Sequence, residues 1–385
     1  MVRSSGEIYQ NESGLEQAVI DLVRVGTTGF GPGVRQLATR ISRHVPAGVG
    51  DTRAFRDALN EAISAGTASG VGLRLAAAEV PRSDDGNLDL ADVDPLPEYR
   101  HFVLNPQAEA AFAGLVVERR RADDLARAGV PLTRTVLLAG PPGVGKTLGA
   151  HWIASNLGLP LVTINLAAVT SSYLGSSGRN LRAVFDYARS GPCVLFLDEF
   201  DALAKRRDDD GDIGELKRLV NVILLELDRW SSDSLIVAAT NHAQLLDPAV
   251  DRRIDLRIDV ELPGPDERRR LLESLAREAH VFDEVGELIP LAVEAFDGYN
   301  CSDIEREWRS AQRQAILTDT DVRQALVSSL LNGSHSSASK HDRLWAIAAE
   351  ELGYSYRKIA AVVGVSHPTV SAAVARAHRE EAAIR

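Results

Sequence analysis

Gly140-Pro141-Pro142-Gly143-Val144-Gly145-Lys146-Thr147-Leu148 is the stretch whose reading decides the fold. It follows the apolar run Thr135-Val136-Leu137-Leu138-Ala139, expected as a buried parallel strand. It precedes Leu148-Gly149-Ala150-His151-Trp152-Ile153-Ala154, expected as a helix. Strand, glycine-rich turn and helix form the setting a phosphate-binding loop requires. The glycines let the backbone turn its N–H groups inward onto phosphate oxygens, and the helix adds its N-terminal partial positive charge. Lys146 is expected to reach the β- and γ-phosphates, and Thr147 to place its hydroxyl on Mg²⁺. A glycine-rich turn joining strand to helix is the plainer reading, but the full G-x-x-x-x-G-K-[ST] match in that setting outweighs it.

The bulk numbers bound the rest. A chain of 385 residues suggests two or three domains, at about 150 residues each. With 45% hydrophobic and 25% charged residues it can build a sizeable core. Arginine outnumbers lysine, a composition that suits a GC-rich bacterial genome. A net charge of −11 argues against indiscriminate binding to nucleic acid or membrane surfaces, so any such contact would be local. Cys193 and Cys301 cannot make a disulfide framework, and Cys193 abuts an apolar strand as a small buried hydrophobe. No apolar run approaches the roughly 18 residues of a membrane span, and no secretion signal is evident. The expectation is a cytoplasmic protein without a membrane partner.

Outward from the loop, residues 1–66 read as a small helical domain, and 67–104 as a glycine-, proline- and aspartate-rich linker. From 105 to 262 strands alternate with helices, which implies a parallel sheet covered on both faces. An amphipathic helix is expected over 108–128, with Arg119-Arg120-Arg121 as a solvated face. Residues 263–331 are helical only, 332–339 form a polar linker, and 340–385 a separate compact helical unit. The fold class is α/β, with a phosphate-loop parallel sheet, a helical lid and small all-helical flanks.

The strand Val194–Leu197 delivers Asp198-Glu199 about 50 residues after the loop. Ligands gather at the carboxyl edge of a parallel sheet, where both elements emerge. Asp198 is expected to hold Mg²⁺ through water and Glu199 to polarise the attacking water, since phosphoryl transfer needs positioning and charge stabilisation above all.

With the block Ile236 to Arg268, which holds Ala239-Thr240-Asn241, Leu246-Asp247-Pro248-Ala249 and Arg252-Arg253-Ile254-Asp255, the region from about 105 to 320 resembles an AAA+ ATPase of the AAA subgroup. The resemblance implies ATP as the nucleotide and a homo-oligomeric, hexameric ring in which one subunit completes another's site. It implies that Asn241 acts as sensor 1, that Arg252 and Arg253 are arginine fingers, and that Asn165 restrains the catalytic Glu199. For the two arginines, surface pairing with Asp251 and Asp255 is the alternative. Tyr173-Leu174-Gly175 sits where the family carries a pore loop that grips a protein substrate, though a surface tyrosine in a polar loop fits the same residues. Gly298-Tyr299-Asn300-Cys301-Ser302-Asp303-Ile304 resembles the lid segment beside the nucleotide, with Cys301 and Ser302 departing from the usual glycine–alanine. No H-E-x-x-H zinc motif occurs.

Near the C-terminus, Tyr356 to Ser371 resembles the helix-turn-helix of sigma-like transcription regulators: one helix ends at Gly364, and Ser366 caps the next. Ile359, Ala360, Val365 and Val370 are expected as its core, and His367, Thr369, Ser371, Arg376 and Arg379 as its groove-facing side. Seven basic residues against five acidic ones in 340–385 is a mild excess, which leaves DNA and protein docking both open. Two functions are therefore expected: a ring that remodels or unfolds protein, or a DNA-directed ATPase placed on DNA by this segment.

Overall fold

The computed structural model describes residue 55 and residues 79–83, 88–95, 97–99, 102–170, 176–203, 215–230, 233–333 and 338–384. The expected N-terminal helical domain (residue 55 apart), the charged run 205–212 and Tyr173-Leu174-Gly175 lie outside the described residues. The chain divides into two compact units. One holds residues up to 99, 111–139 and 147–258; the other holds 100–110, 140–146 and 259–385.

The first unit is built on a six-stranded sheet. In chain order its strands are β1 (Ala91–Asp94), β2 (Thr135–Ala139), β3 (Leu161–Ile164), β4 (Val194–Leu197), β5 (Leu235–Thr240) and β6 (Leu256–Asp259). Their spatial order is β1-β3-β4-β5-β2-β6. The pairs β2–β5, β4–β5 and β3–β4 are parallel, so these four strands deliver their carboxyl ends to one edge. Every residue of β2, β4 and β5 is buried, as strands covered on both faces must be, and this explains their uninterrupted apolar runs. The register sets Ala139 against Thr240 and Leu197 against Ala238, which places the Asn241 tip between the end of β4 and the end of β2.

Helices α1 (Pro106–Arg120) and α2 (Ala122–Arg127) replace the single helix expected over 108–128. The break is at Arg121, which leaves helical geometry at ψ 26°. Nor is Arg119 a solvated residue. Its guanidinium donates to the carbonyls of Thr133 and Ser234, and burial lowers its pKa. Helices α3 (Lys146–Leu157), α4 (Leu166–Thr170), α5 (Ser177–Ala188), α6 (Phe200–Leu203), α7 (Glu215–Asp228) and α8 (Pro248–Asp251) follow between strands. Phe185, Leu195, Ile223 and Ile236 sit in one apolar core joining α5, α7 and the sheet. Cys193 is buried there as a small apolar residue, and desolvation pushes its thiol pKa up to about 12.

The stretch 67–104 is more than the linker its composition suggests. β1 pairs antiparallel with β3, Arg82 bridges to Asp89, and Leu90 is wholly buried. An edge strand needs apolar residues on one face only, so Ala91-Asp92-Val93-Asp94 suffices without a continuous apolar run.

The second unit is helical. It comprises α9 (Pro265–Glu278), α10 (Phe282–Val285), α11 (Ile289–Ala295), α12 (Cys301–Thr318), α13 (Val322–Asn332), α14 (Ala338–Glu350), α15 (Tyr356–Val363) and α16 (His367–Ile384). A 3₁₀ turn, Gly286–Leu288, separates α10 from α11, ahead of Pro290. Residues 340–385 were expected as a unit of their own, yet one continuous core runs from Leu271, Leu291 and Trp308 to Leu344, Ile359, Val370 and Val374. Short helices such as α15 bury too little by themselves and close their core on the lid helices. Ser355 caps α15, and Gly364, at φ 75°, ends it. Ile359, Ala360 and Val370 are buried as expected, whereas Val365 is 37% exposed, because it lies on the outer side of the turn. Among the described residues no single helix is long and apolar enough to cross a membrane.

Candidate active site

The loop between β2 and α3 is shaped by what its glycines must avoid. A Cβ at Gly140 would lie 2.0 Å from the carbonyl oxygen of Val260, and one at Gly143 would lie 2.6 Å from Asn300 Oδ1. Gly143 (φ 76°) and Gly145 (φ 99°) both occupy the left-handed region. Val144 is buried and anchors the loop, while Pro141 and Pro142 are exposed on its outer turn and Leu148 is half-buried. Lys146 is buried, and its Nζ donates to the carbonyls of Gly140 and Pro141 at 2.8 Å each.

In the sheet unit, Thr147 Oγ1 donates to Asp198 Oδ2 at 2.8 Å, so the hydroxyl and carboxylate expected on one metal ion already meet. Asp198 Oδ1 accepts the Glu199 N–H at 2.9 Å. That bond helps hold Glu199 at φ 49°, a conformation non-glycine residues seldom adopt, and leaves its carboxylate exposed at the strand end. Thr240 Oγ1 donates to Asp201 Oδ1 at 2.6 Å and accepts the His242 N–H at 3.0 Å, which pins the strand tip carrying Asn241. Asn165 stands just past the end of β3. Its Oδ1 caps α4 by accepting the Ala168 N–H at 3.0 Å, and its Nδ2 donates to the Asp89 carbonyl at 3.4 Å.

These groups fit a magnesium–nucleotide complex. Magnesium prefers hard oxygen ligands, keeps several waters and takes one or two protein groups alongside substrate phosphates. Thr147 and Asp198 supply that donor set, and among the described residues no cluster of three or more His, Cys, Asp or Glu side chains forms an all-protein cage. At 140 and 143 the loop lies too close to Val260 and Asn300 for any Cβ, so only glycine lets its backbone take the turn that a phosphate cradle uses.

Arg252 and Arg253 part company in the structure. Arg253 makes a two-pronged pair with Asp228 at the end of α7, at 2.7 and 3.1 Å, and also donates to the Ala249 carbonyl at 2.8 Å. Its pKa is raised and that of Asp228 lowered by the shared hydrogen bond. Neither Asp251 nor Asp255, the pairing partners expected from sequence, takes it. Asp255 instead accepts the N–H groups of Arg134 and Thr135, at 2.8 and 3.1 Å. Arg252 is exposed and makes no side-chain hydrogen bond or ion pair among the described residues.

In the helical unit, the lid segment rests on the loop itself. Asn300 caps α12, its Oδ1 accepting the Asp303 N–H at 2.8 Å, and the Ser302 N–H donates to the Gly143 carbonyl at 3.1 Å. Cys301 is largely shielded, and desolvation raises its thiol pKa to about 11. The sequence places Asn300 in the segment beside the nucleotide without its approach to Gly143, and gives Asp228 no part. Asn300 was legible as a cap ahead of Asp303, whereas nothing in the sequence pairs Asp228 with Arg253.

Strand order, loop, the Thr147–Asp198 pair and the strand-end asparagine together define a P-loop nucleoside triphosphatase. Residues 136–262 match the ATPase family associated with various cellular activities, AAA. An uncharacterized AAA family ATPase of Sinorhizobium fredii, y4kL, is 38% identical over 226 residues, covering 58% of this chain and 67% of that protein. The ATP-dependent zinc metalloprotease FtsH 3 of Sphaerobacter thermophilus is 31% identical over 261 residues, covering 65% of this chain and 53% of the relative. The 26S proteasome regulatory subunit 10B of Dictyostelium discoideum is 35% identical over 202 residues, covering 51% of each. The chain thus spans about half the length of these last two. It belongs to the AAA family of ATPases.

Proposed function

We propose that this ATPase works as a homo-oligomeric, hexameric ring in the cytoplasm, hydrolysing Mg²⁺-bound ATP to remodel, unfold or disassemble a protein substrate. The observation that carries the reading is the contrast between a site equipped from its own chain and Arg252, exposed without a side-chain partner among the described residues. Lys146 and the loop take the triphosphate, Thr147 and Asp198 the metal, Glu199 and Asn241 the attacking water. Arg252 completes a neighbour's site with Arg253 beside it, and Asn165 restrains Glu199. Tyr173-Leu174-Gly175, between α4 and α5, supplies the apolar grip on an extended polypeptide. The resemblance to a proteasome regulatory subunit and to an ATP-dependent protease supports the same reading.

Fluorescein-labelled casein, an unfolded polypeptide, tests it. Tyr173→Ala should retain ATP hydrolysis and lose ATP-dependent capture of the probe; capture equal to that of the unchanged protein would sink the threading step.

A second reading, a DNA-directed ATPase, is favoured by one observation. In a chain of net charge −11, residues 352–379 contain Arg357, Lys358, Arg376 and Arg379 and no acidic residue. His367, Thr369 and Arg379 are exposed around the start and outer side of α16, while Ser371 is half-buried. Arg376 is already engaged, paired with the buried Asp342 at 2.7 and 2.8 Å. Duplex DNA binding that falls steeply with salt would support this reading, and binding insensitive to salt would remove it.

A further inference from the structure

The segment bolted to the phosphate loop is also bolted to the C-terminal helices. At the loop end, the Ser302 N–H holds the Gly143 carbonyl at 3.1 Å, and Asn300 stands where any side chain at Gly143 would be. Immediately before, the Asp297 carbonyl accepts a hydrogen bond from Lys340 Nζ of α14 at 2.9 Å, and the same ammonium lies 5.7 Å from the centre of the Tyr299 ring. The Asp297 carboxylate pairs at 3.0 Å with Arg268, which is almost wholly buried and also donates to the Val293 and Pro263 carbonyls. Arg343 of α14 adds an ion pair to Glu294 of α11 at 3.3 Å. From α14 the path reaches α16 through Asp342 and Arg376, and α13 reaches α15 through Asn332 Nδ2 and the Val362 carbonyl at 3.3 Å. One apolar core lies behind all of these contacts.

Nucleotide binding must disturb the loop end of this path. To serve the β- and γ-phosphates, Lys146 Nζ has to leave the Gly140 and Pro141 carbonyls that it now holds. Turning backbone N–H groups toward the phosphates also turns the carbonyls of the same peptide planes, and the Gly143 carbonyl is the acceptor of the lid's N–H. A close-packed core passes such a displacement on as a unit.

We propose that α14–α16 report the nucleotide state of the phosphate loop, the signal entering through Asn300 and Ser302 and crossing to α14 at Asp297 and Tyr299. The proposal rests on the reading of 140–147 as a nucleotide loop and adds that this loop and the outer face of α16 are thermodynamically linked. Linkage is reciprocal, so whatever binds α16 would change nucleotide affinity by the same factor.

Hydrogen exchange on the full chain, with and without a non-hydrolysable ATP analogue and Mg²⁺, tests it. The expected result is slower exchange in the loop and a change of about fivefold or more in α14–α16, the lower end of typical couplings. In Asn300→Ser, which still caps α12 but draws back from Gly143, the loop response should persist and the α14–α16 response should shrink. If the analogue protects the loop and leaves α14–α16 unchanged, the linkage is overturned and the nucleotide reading stands. An α14–α16 response undiminished in Asn300→Ser would overturn the route, because ring assembly alone could produce it. No protection of the loop would overturn both.

Discussion

The phosphate loop and the segment from Asp247 to Asp255 are both built around basic side chains, yet the chain treats them in opposite ways. In the loop, Lys146 is buried and held by two carbonyls of its own turn. In the later segment Asp247 caps α8, Arg253 is fastened to Asp228, and Arg252 projects without a side-chain partner among the described residues. A group that acts on its own chain's ligand can be stored on its own backbone, as Lys146 is on two carbonyls, until the ligand draws it off. In the proposed ring, a group meant for another copy would be held only up to its root. Of an adjacent pair that sequence makes equal, one arginine is tied down by its own chain and the other is not.

The strongest way to break this comparison is to remove the cation of the loop. Lys146→Ala should lose nucleotide binding altogether, measured by fluorescent-nucleotide titration, while Glu199→Gln should bind ATP and lose about 10²–10⁴ in turnover. Separating the arginines sharpens it further. Arg252→Ala should cut kcat by about 10³ or more with nucleotide affinity intact, and mixing it with Lys146→Ala subunits should restore part of the activity. Arg253→Ala should act mainly by loosening α8 from α7, with a smaller rate loss that Asp228→Asn reproduces. Equal losses for the two arginines would erase the distinction drawn here.

A smaller effect is expected at Gly143. Alanine there meets Asn300 at a φ of 76°, so roughly 1–2 kcal/mol of strain should weaken ATP binding by about tenfold with kcat less affected. The smallest concerns the thiols. Burial lifts Cys301 from its ordinary 9.0 to about 11 and Cys193 to about 12. Folding therefore favours the protonated form. This contribution is fully present below about pH 9 and is lost as pH rises from 9 through 11 and 12, where the unfolded chain ionises first. Alkylation by iodoacetamide at pH 8 should be slow in the folded protein and fast in urea, and equal rates would contradict the shielding.

Much of the sheet unit was legible because its signals are local. An apolar run buried on both faces, a complete loop pattern and a strand ending in Asp198-Glu199 each lie within a few residues. What escaped depends on chain segments far apart. The Asp228–Arg253 pair spans α7 and α8, β1 is recognisable only by the strand it joins, and Val365 turns outward because the lid offers it nothing to pack on. The fusion of 340–385 with the lid escaped for the same reason: a polar tract looks like a linker whether or not the helices beyond it share a core with those before. Arg119 was misread because its acceptors, Thr133 and Ser234, are backbone carbonyls, which no side-chain pattern announces.

The left-handed backbone at Glu199 carries one more implication. Holding a glutamate in that conformation costs about 1–2 kcal/mol, a cost glycine would avoid and asparagine would reduce. Glu199→Asn should thus yield an inert enzyme that withstands heat better than the active one, so a screen for thermal robustness alone would drift toward dead proteins at this position.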